Sequence, residues 1–162
     1  MMVTLKRTTS QDSDFNYLVT LLNKDLAEAD GEILHAFYKQ FNHTDKYNHI
    51  IVAYRDEKPI GCGAIKPFDD NAVEIKRMFV LQDERGKSVA SKLLDALENW
   101  AKELGYFNCV LETGKKQKAA ISFYTSYGYQ RIPNYGQYKN IENSLCFKHN
   151  IEFQRSDKNN VY

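Results

Sequence analysis

The stretch Arg85-Gly86-Lys87-Ser88-Val89-Ala90 sets two cations, a glycine and a serine directly before a long segment with an apolar stripe. That pattern is chemistry for a phosphate. A helix start exposes unpaired N–H groups and the positive end of the backbone dipole. Gly86 allows a close approach, and Arg85 and Lys87 add positive charge. A ligand carrying a pyrophosphate suits such a segment. Two familiar phosphate motifs fail here. Gly86-Lys87-Ser88 could end a P-loop, but the position five residues earlier, where that motif needs glycine, is Leu81. No Gly-x-Gly-x-x-Gly follows a strand, so a dinucleotide fingerprint is absent as well.

The segment needs a strand before it and a helix after it, and the flanking patterns supply both. Ala72–Val80 alternates as a strand, with Val73, Ile75, Arg77 and Phe79 on one face and Glu74, Lys76, Met78 and Val80 on the other. Lys87–Leu104 carries Val89, Leu93, Leu97, Trp100 and Leu104 at helical spacing, and Gly105 stops it. Further strands are expected over Val3–Arg7, Ile50–Tyr54, Ile60–Ile65, Cys109–Thr113, Tyr129–Ile132 and Ser144–Phe147. Helices are expected over Phe15–Ala29, capped by Ser13 or Asp14, and over Lys118–Tyr127. Another helical piece follows Gly31, with Ile33, Leu34, Phe37, Tyr38 and Phe41. The order is β, two helices, three strands, helix, strand, helix, two strands, which is a mixed sheet with helices packed on it.

Arg85-x-x-Ser88-x-Ala90 resembles the signature Arg/Gln-x-x-Gly-x-Gly/Ala of the GNAT N-acetyltransferase superfamily. Ala120-Ile121-Ser122-Phe123-Tyr124-Thr125-Ser126-Tyr127-Gly128-Tyr129 is similar to that superfamily's Ala-x-x-x-Tyr-x-x-x-Gly-Phe/Tyr pattern. The element order agrees over about residues 3–148, and uncharacterised bacterial members share a Leu-Glu-Thr-Gly strand end (Leu111–Gly114) and an Ile-Pro-Asn-Tyr-Gly-x-Tyr loop (Ile132–Tyr138). The resemblance implies a GNAT-like α/β (α+β) fold: a mixed, mostly antiparallel sheet of about seven strands with about four helices on both faces. It implies acetyl-coenzyme A as co-substrate and transfer of its acetyl group to a small-molecule or peptide amine. Backbone groups of Met78, Phe79 and Val80 would pair with the pantetheine arm. The pyrophosphate would lie on Arg85, Gly86, Lys87, Ser88, Val89, Ala90 and Ser91. Ser88 stands where the signature has glycine. A serine fits if its φ is negative, as at an ordinary helix start, and its hydroxyl is then free to donate to a phosphate; if the turn needs a left-handed residue, coenzyme affinity suffers.

Acetyl transfer needs a neutral amine, a stabilised thioester oxygen and a protonated leaving thiolate. By the resemblance, Tyr124 is the proton donor to sulfur. Glu74 is the first candidate base, on the face of Met78, and Glu112 the second, twelve residues before Tyr124. Gln117 falls where one branch of the family carries an Asn near the coenzyme. Tyr127, Tyr129, Tyr135 and Tyr138 could wall an acceptor pocket, although tyrosines more often anchor loops and cores. No cysteine sits where the motifs call for a nucleophile, so direct attack in a ternary complex is expected.

The remaining arithmetic restricts the alternatives. A chain of 162 residues with 43% hydrophobic and 27% charged residues is the size and make-up of one globular domain, here residues 1–148 with a polar tail over 149–162. A net charge of +1 argues against a nucleic-acid or membrane-surface binder. The opening residues carry no apolar export core, and Cys62, Cys109 and Cys146 are too few for a disulfide framework, so a cytoplasmic setting is expected. His35, His43, His49 and His149 form no metal-ligand spacing with the cysteines. The resemblance is compatible with a homodimer. A coenzyme A-binding sensor or interaction module without turnover is the competing reading.

Overall fold

The computed structural model of the chain describes residues 2–39 and 46–152. Seven strands form one sheet in the order β1-β2-β3-β4-β5-β7-β6: β1 (Val3–Thr8), β2 (His49–Arg55), β3 (Lys58–Pro67), β4 (Ala72–Val80), β5 (Asn108–Gly114), β6 (Gln130–Ile132) and β7 (Ser144–Asn150). Every neighbouring pair is antiparallel except β4 with β5. The hairpin between β2 and β3 turns on Asp56 and Glu57 alone, both at positive φ (51° and 66°), which matches the twist of the strands on either side.

Among the described residues three helical spans stand where about four helices were expected. α1 (Ser13–Lys39) holds the first two expected helical pieces, separated at Gly31, whose φ of 82° and ψ of 162° are not helical. Only glycine adopts that conformation readily. Asp12, not Ser13 or Asp14, caps α1 by accepting a hydrogen bond from the Phe15 N–H at 3.0 Å. α2 (Val89–Glu103) and α3 (Lys118–Tyr127) follow the predicted stripes. α1 covers one face of the sheet, burying Phe15, Leu18, Val19 and Leu22 against Ile50, Val52, Cys62, Ala64 and Phe79. α2 and α3 cover the other, where Val89, Leu93, Leu97 and Tyr124 pack on Ile51, Ile65, Val73, Ile75 and Val80. Phe41 and His43 fall outside the described residues, as does the chain beyond Glu152.

The last strand runs further than its apolar pattern predicts. His149 and Asn150 pair with Cys109 and Asn108, and Ile151 is 0% exposed inside the core. His149 also meets the buried Glu98 of α2 through Nδ1 at 2.8 Å, and the Tyr129 hydroxyl donates to the same carboxylate at 2.6 Å. The polar residues of this segment hid its structural role, since sheet pairing and one carboxylate satisfy them. Replacing Ile151 with Ala should therefore cost about 2–5 kcal/mol, as for other buried aliphatic residues cut to alanine. Urea denaturation of the variant measures it, and a loss below about 1 kcal/mol would place Ile151 outside the core.

Candidate active site

β4 and β5 pair only through Ala72, Val73 and Glu74 with Asn108, Cys109 and Val110. Beyond Glu74 the two parallel strands part. The cause lies in β4, where Ala64 of β3 faces Lys76 and Cys62 faces Phe79, so two β4 residues stand opposite Gly63. This is a β-bulge, and Arg77 in it has a φ of 58°. Gly63 leaves room there: a Cβ at this position would lie 2.5 Å from Met78 Sδ and 2.7 Å from Leu97 Cδ1, so both side chains would have to shift.

The bulge corrects the face assignment made from strict alternation. Lys76 and Arg77 both turn towards α1, together with Glu74 and Phe79, while Met78 turns towards α2. Glu74 and Met78 therefore do not share a face. Between the parted strands a cleft passes through the sheet. It is lined from α1 by Leu22, Leu26, Asp30 and His35, from the strands by Glu74–Met78 and Leu111–Gly114, and from the α3 side by Gln117, Ala120 and Tyr124. Tyr124, Glu74, Glu112, Gln117 and Met78 are thus brought to one cavity.

The two glutamates differ in environment. Glu74 is 2% exposed; its Oε2 accepts from the Tyr135 hydroxyl at 2.7 Å, and Lys66 Nζ stands 3.8 Å from its Oε1. Glu112 accepts from Ser144 Oγ at 2.6 Å. Burial pushes its carboxyl from the ordinary 4.5 up to about 7, against the bond from Ser144 and the charge of Lys76, with Glu74 and Asp30 pushing the same way as burial. Tyr124 is buried, and burial drives its phenol upward, so it stays protonated throughout the neutral range. Burial also raises all three thiols, Cys62 to about 12 and Cys146 to about 11, which keeps them neutral and unreactive.

Tyr135 and Tyr138 do not wall the cleft. They are buried beside it with Ala72, Val110 and Cys146, where Tyr135 holds Glu74 and Tyr138 accepts from Lys76 Nζ at 3.3 Å. Tyr127 and Tyr129 point to α2 and meet Asp95 and Glu98. Three cleft residues escaped the sequence reading: Asp30, Lys76 and Arg77, all nearly buried. The signals were there, an Asp-Gly pair inside a helix and a Lys-Arg pair inside an apolar strand.

The turn before α2 also departs from expectation. α2 starts at Val89, and Ser88 sits at φ 67° and ψ 14°, a left-handed position, with no hydrogen bond from its side chain to the helix. The turn curls too tightly for ordinary φ values, and Gly86 is left-handed as well at φ 77°. No acidic residue occupies the first turn of α2, so its N–H groups face no competing carboxylate there. Arg85 folds back, its Nε donating to the Val80 carbonyl at 3.0 Å and its Nη2 to Asp25 at 2.7 Å. Among the described residues no group of three or more His, Cys, Asp or Glu is placed to hold a metal, and no helix is long and apolar enough to cross a membrane.

Comparisons with known proteins agree with this architecture. The family model for acetyltransferases (GNAT) matches residues 15–129. An IAA acetyltransferase of Azospirillum brasilense is 35% identical over 89 residues, 54% of this chain and 58% of that protein, so this chain spans little more than half of that relative's length. A solved structure from Klebsiella pneumoniae subsp. pneumoniae superposes with a TM-score of 0.77 at 25% identity, covering 93% of this chain and 98% of that one. The PaiA N-acetyltransferase of Thermoplasma acidophilum, solved in complex with coenzyme A, superposes with a TM-score of 0.72 at 15% identity, covering 93% and 99%.

A non-glycine residue held left-handed is strained by about 1–2 kcal/mol. Ser88→Gly removes that strain and sacrifices no capping bond, while adding some freedom to the unfolded chain. The variant should be more stable by roughly 0.5–1 kcal/mol in chemical denaturation. A loss of stability would show that the serine side chain holds the turn.

Proposed function

Because the chain belongs to the acetyltransferase (GNAT) family, we propose that it moves an acetyl group from acetyl-coenzyme A to a primary amine by direct attack in a ternary complex. The observation that carries this reading is the parting of β4 and β5, which opens one cleft to both faces of the sheet and sets Glu112 and Tyr124 in it. The coenzyme approaches along α2 and α3. Its pyrophosphate rests on Gly86, Lys87 and Ser88 and on the first-turn amides of Val89, Ala90 and Ser91. Its pantetheine arm pairs with the β4 edge at Met78, Phe79 and Val80, which lacks a strand partner on the β5 side. The coenzyme complex of the PaiA enzyme, which shares this fold, supports the assignment.

The amine enters from the α1 side. Glu112 takes its proton, directly or through one water, since a carboxyl titrating at about 7 is half ionised at the working pH and strong enough to accept. The nitrogen lone pair then attacks the thioester carbon, and a backbone amide at the bulge holds the developing oxyanion. The C–N bond forms, the C–S bond breaks, the sulfur takes the proton of Tyr124, and the nitrogen loses its second proton to solvent as the adduct collapses to the amide, while solvent returns a proton to the Tyr124 phenolate. Glu74, engaged by Tyr135 and Lys66, orients the charged wall and is the second candidate for the base. The buried, neutral thiols leave no nucleophile for an acetyl-enzyme, and they suit a reducing, cytoplasmic setting.

Calorimetric titration tests the donor site: acetyl-coenzyme A should bind, ATP should not, and Gly86→Glu should abolish binding by placing a carboxylate and a strained φ in the turn. Failure of the coenzyme to bind would sink the reading.

The pH–rate profile tests the base. For an amine acceptor, kcat/KM should rise with pH to a plateau above about 7, Glu112→Gln should remove that limb and Tyr124→Phe should lower kcat more than coenzyme affinity. If Glu74→Gln alone removes the limb, the base is Glu74. Stability supplies a second readout. Between 4.5 and about 7 the folded chain holds a proton on Glu112 that the unfolded chain has lost, so ionisation there lowers stability as pH rises. Glu112→Gln should therefore gain up to about 3 kcal/mol over the parent above pH 7 and little below pH 4.5.

A further inference from the structure

Arg77 lines the cleft at the bulge and is 6% exposed. One of its nitrogens, Nη2, donates to Asn23 Oδ1 of α1, and Nε has no hydrogen-bond partner. Among the described residues no carboxylate faces it. The groups that act on its charge are Tyr47 and Cys62, and the Cys62 thiol, raised to about 12, is neutral. Asp30 lines the same cleft with its Oδ1 unpartnered; burial pushes its carboxyl upward, against the pull of Gln117, His35 and Lys116. Lys76, the other buried cation, is balanced by Glu74 and Glu112. Arg77 therefore combines a left-handed backbone, a buried positive charge without a counter-ion and an unused donor, all at the wall of the cavity. Buried charges are ordinarily paired, and strained conformations persist where function holds them.

We infer that Arg77 is the counter-charge for a carboxylate on the acceptor, so that the amine acetylated is one carried by an amino acid or a similar small amino-carboxylate. The inference rests on the acetyltransferase reading above and names its substrate class. A guanidinium offers two parallel N–H donors in the plane that a carboxylate accepts. One cation balances one negative charge, which matches a carboxylate better than a dianionic phosphate. The bulge turns Lys76 and Arg77 together towards α1, on the acceptor side, while the coenzyme's arm takes the β4 edge. The carboxylate would enter between Arg77 and α1, with the amine directed to Glu112.

The test compares free acids with amides on the full chain. Glycine, methionine, phenylalanine and glutamate, each beside its α-amide, serve as acceptors, and their N-acetyl derivatives serve as ligands in thermal unfolding. The parent should favour acid over amide by about tenfold or more in kcat/KM, Arg77→Met should bring that ratio to about one, and Arg77→Lys should restore part of it. If none of these amines turns over, the unfolding arm decides. N-acetyl acids should raise the midpoint of the parent more than their amides do, and Arg77→Met should erase the difference. Without ligand, Arg77→Met should melt at or above the parent, because it deletes an unbalanced buried charge, whereas a purely structural arginine would melt lower. Equal treatment of acid and amide by the parent, or a preference that survives in Arg77→Met, overturns the inference. Neither result touches acetyl-coenzyme A binding, whose loss in the titration would instead remove the donor reading.

Discussion

β4 and β5 are the only parallel neighbours in the sheet, and they hold together over three positions. Parallel strands that separate leave N–H and C=O groups along both inner edges, and such groups buried without partners are costly. The sheet accepts the separation because antiparallel ladders on either side hold each strand: β3 secures β4 over most of its length and β7 secures β5 throughout. The bulge at Arg77 interrupts the β3–β4 ladder opposite Gly63, and pairing resumes at Cys62 with Phe79. Glu74, Met78, Glu112, Gln117 and Tyr124 all line this opening. A sheet zipped to its end would have buried the same side chains with no space between them.

An opening through a core exposes charged side chains to low dielectric, and the α1 face shows how they are held. Tyr135 and Tyr138 reach over β4 from the loop before β7, one gripping Glu74 and the other Lys76. Asn134 fixes that loop by donating to the carbonyls of Tyr138, Ile141 and Ser144 at 2.9–3.1 Å. The Tyr-rich loop thus braces the charged side chains of β4. Its rigidity keeps Glu112 shielded too, since Ser144, which bonds that carboxylate, begins the strand that the loop leads into.

Much of the fold was legible in the sequence, and the reasons are local. α2 showed its stripe, and α3 matched the expected Lys118–Tyr127. What escaped is what local pattern does not encode. Alternation along β4 presumes an unbroken pleat, and one bulge reversed the relation of Glu74 to Met78. Ser88 looked like an ordinary helix start because left-handed φ is a property of the path between two elements. His149 and Ile151 looked like tail because their partners, Glu98 and the core beneath β5, lie far away in the chain. Of the residues lining the cleft, Tyr124, Glu74, Glu112, Gln117 and Met78 were visible as motif positions, whereas Arg77 and Asp30 became notable only once their burial could be seen.

The three cysteines give the protein a practical property. Each is buried and each thiol is held in its neutral form. Thiol-specific reagents react with thiolates in reach of solvent, so the folded chain is close to silent towards them. Any reaction that liberates a small free thiol into solution can then be followed by a disulfide dye with little background from the protein. A single cysteine placed on the surface would likewise take a fluorescent or spin label at one position, with the native three left in place.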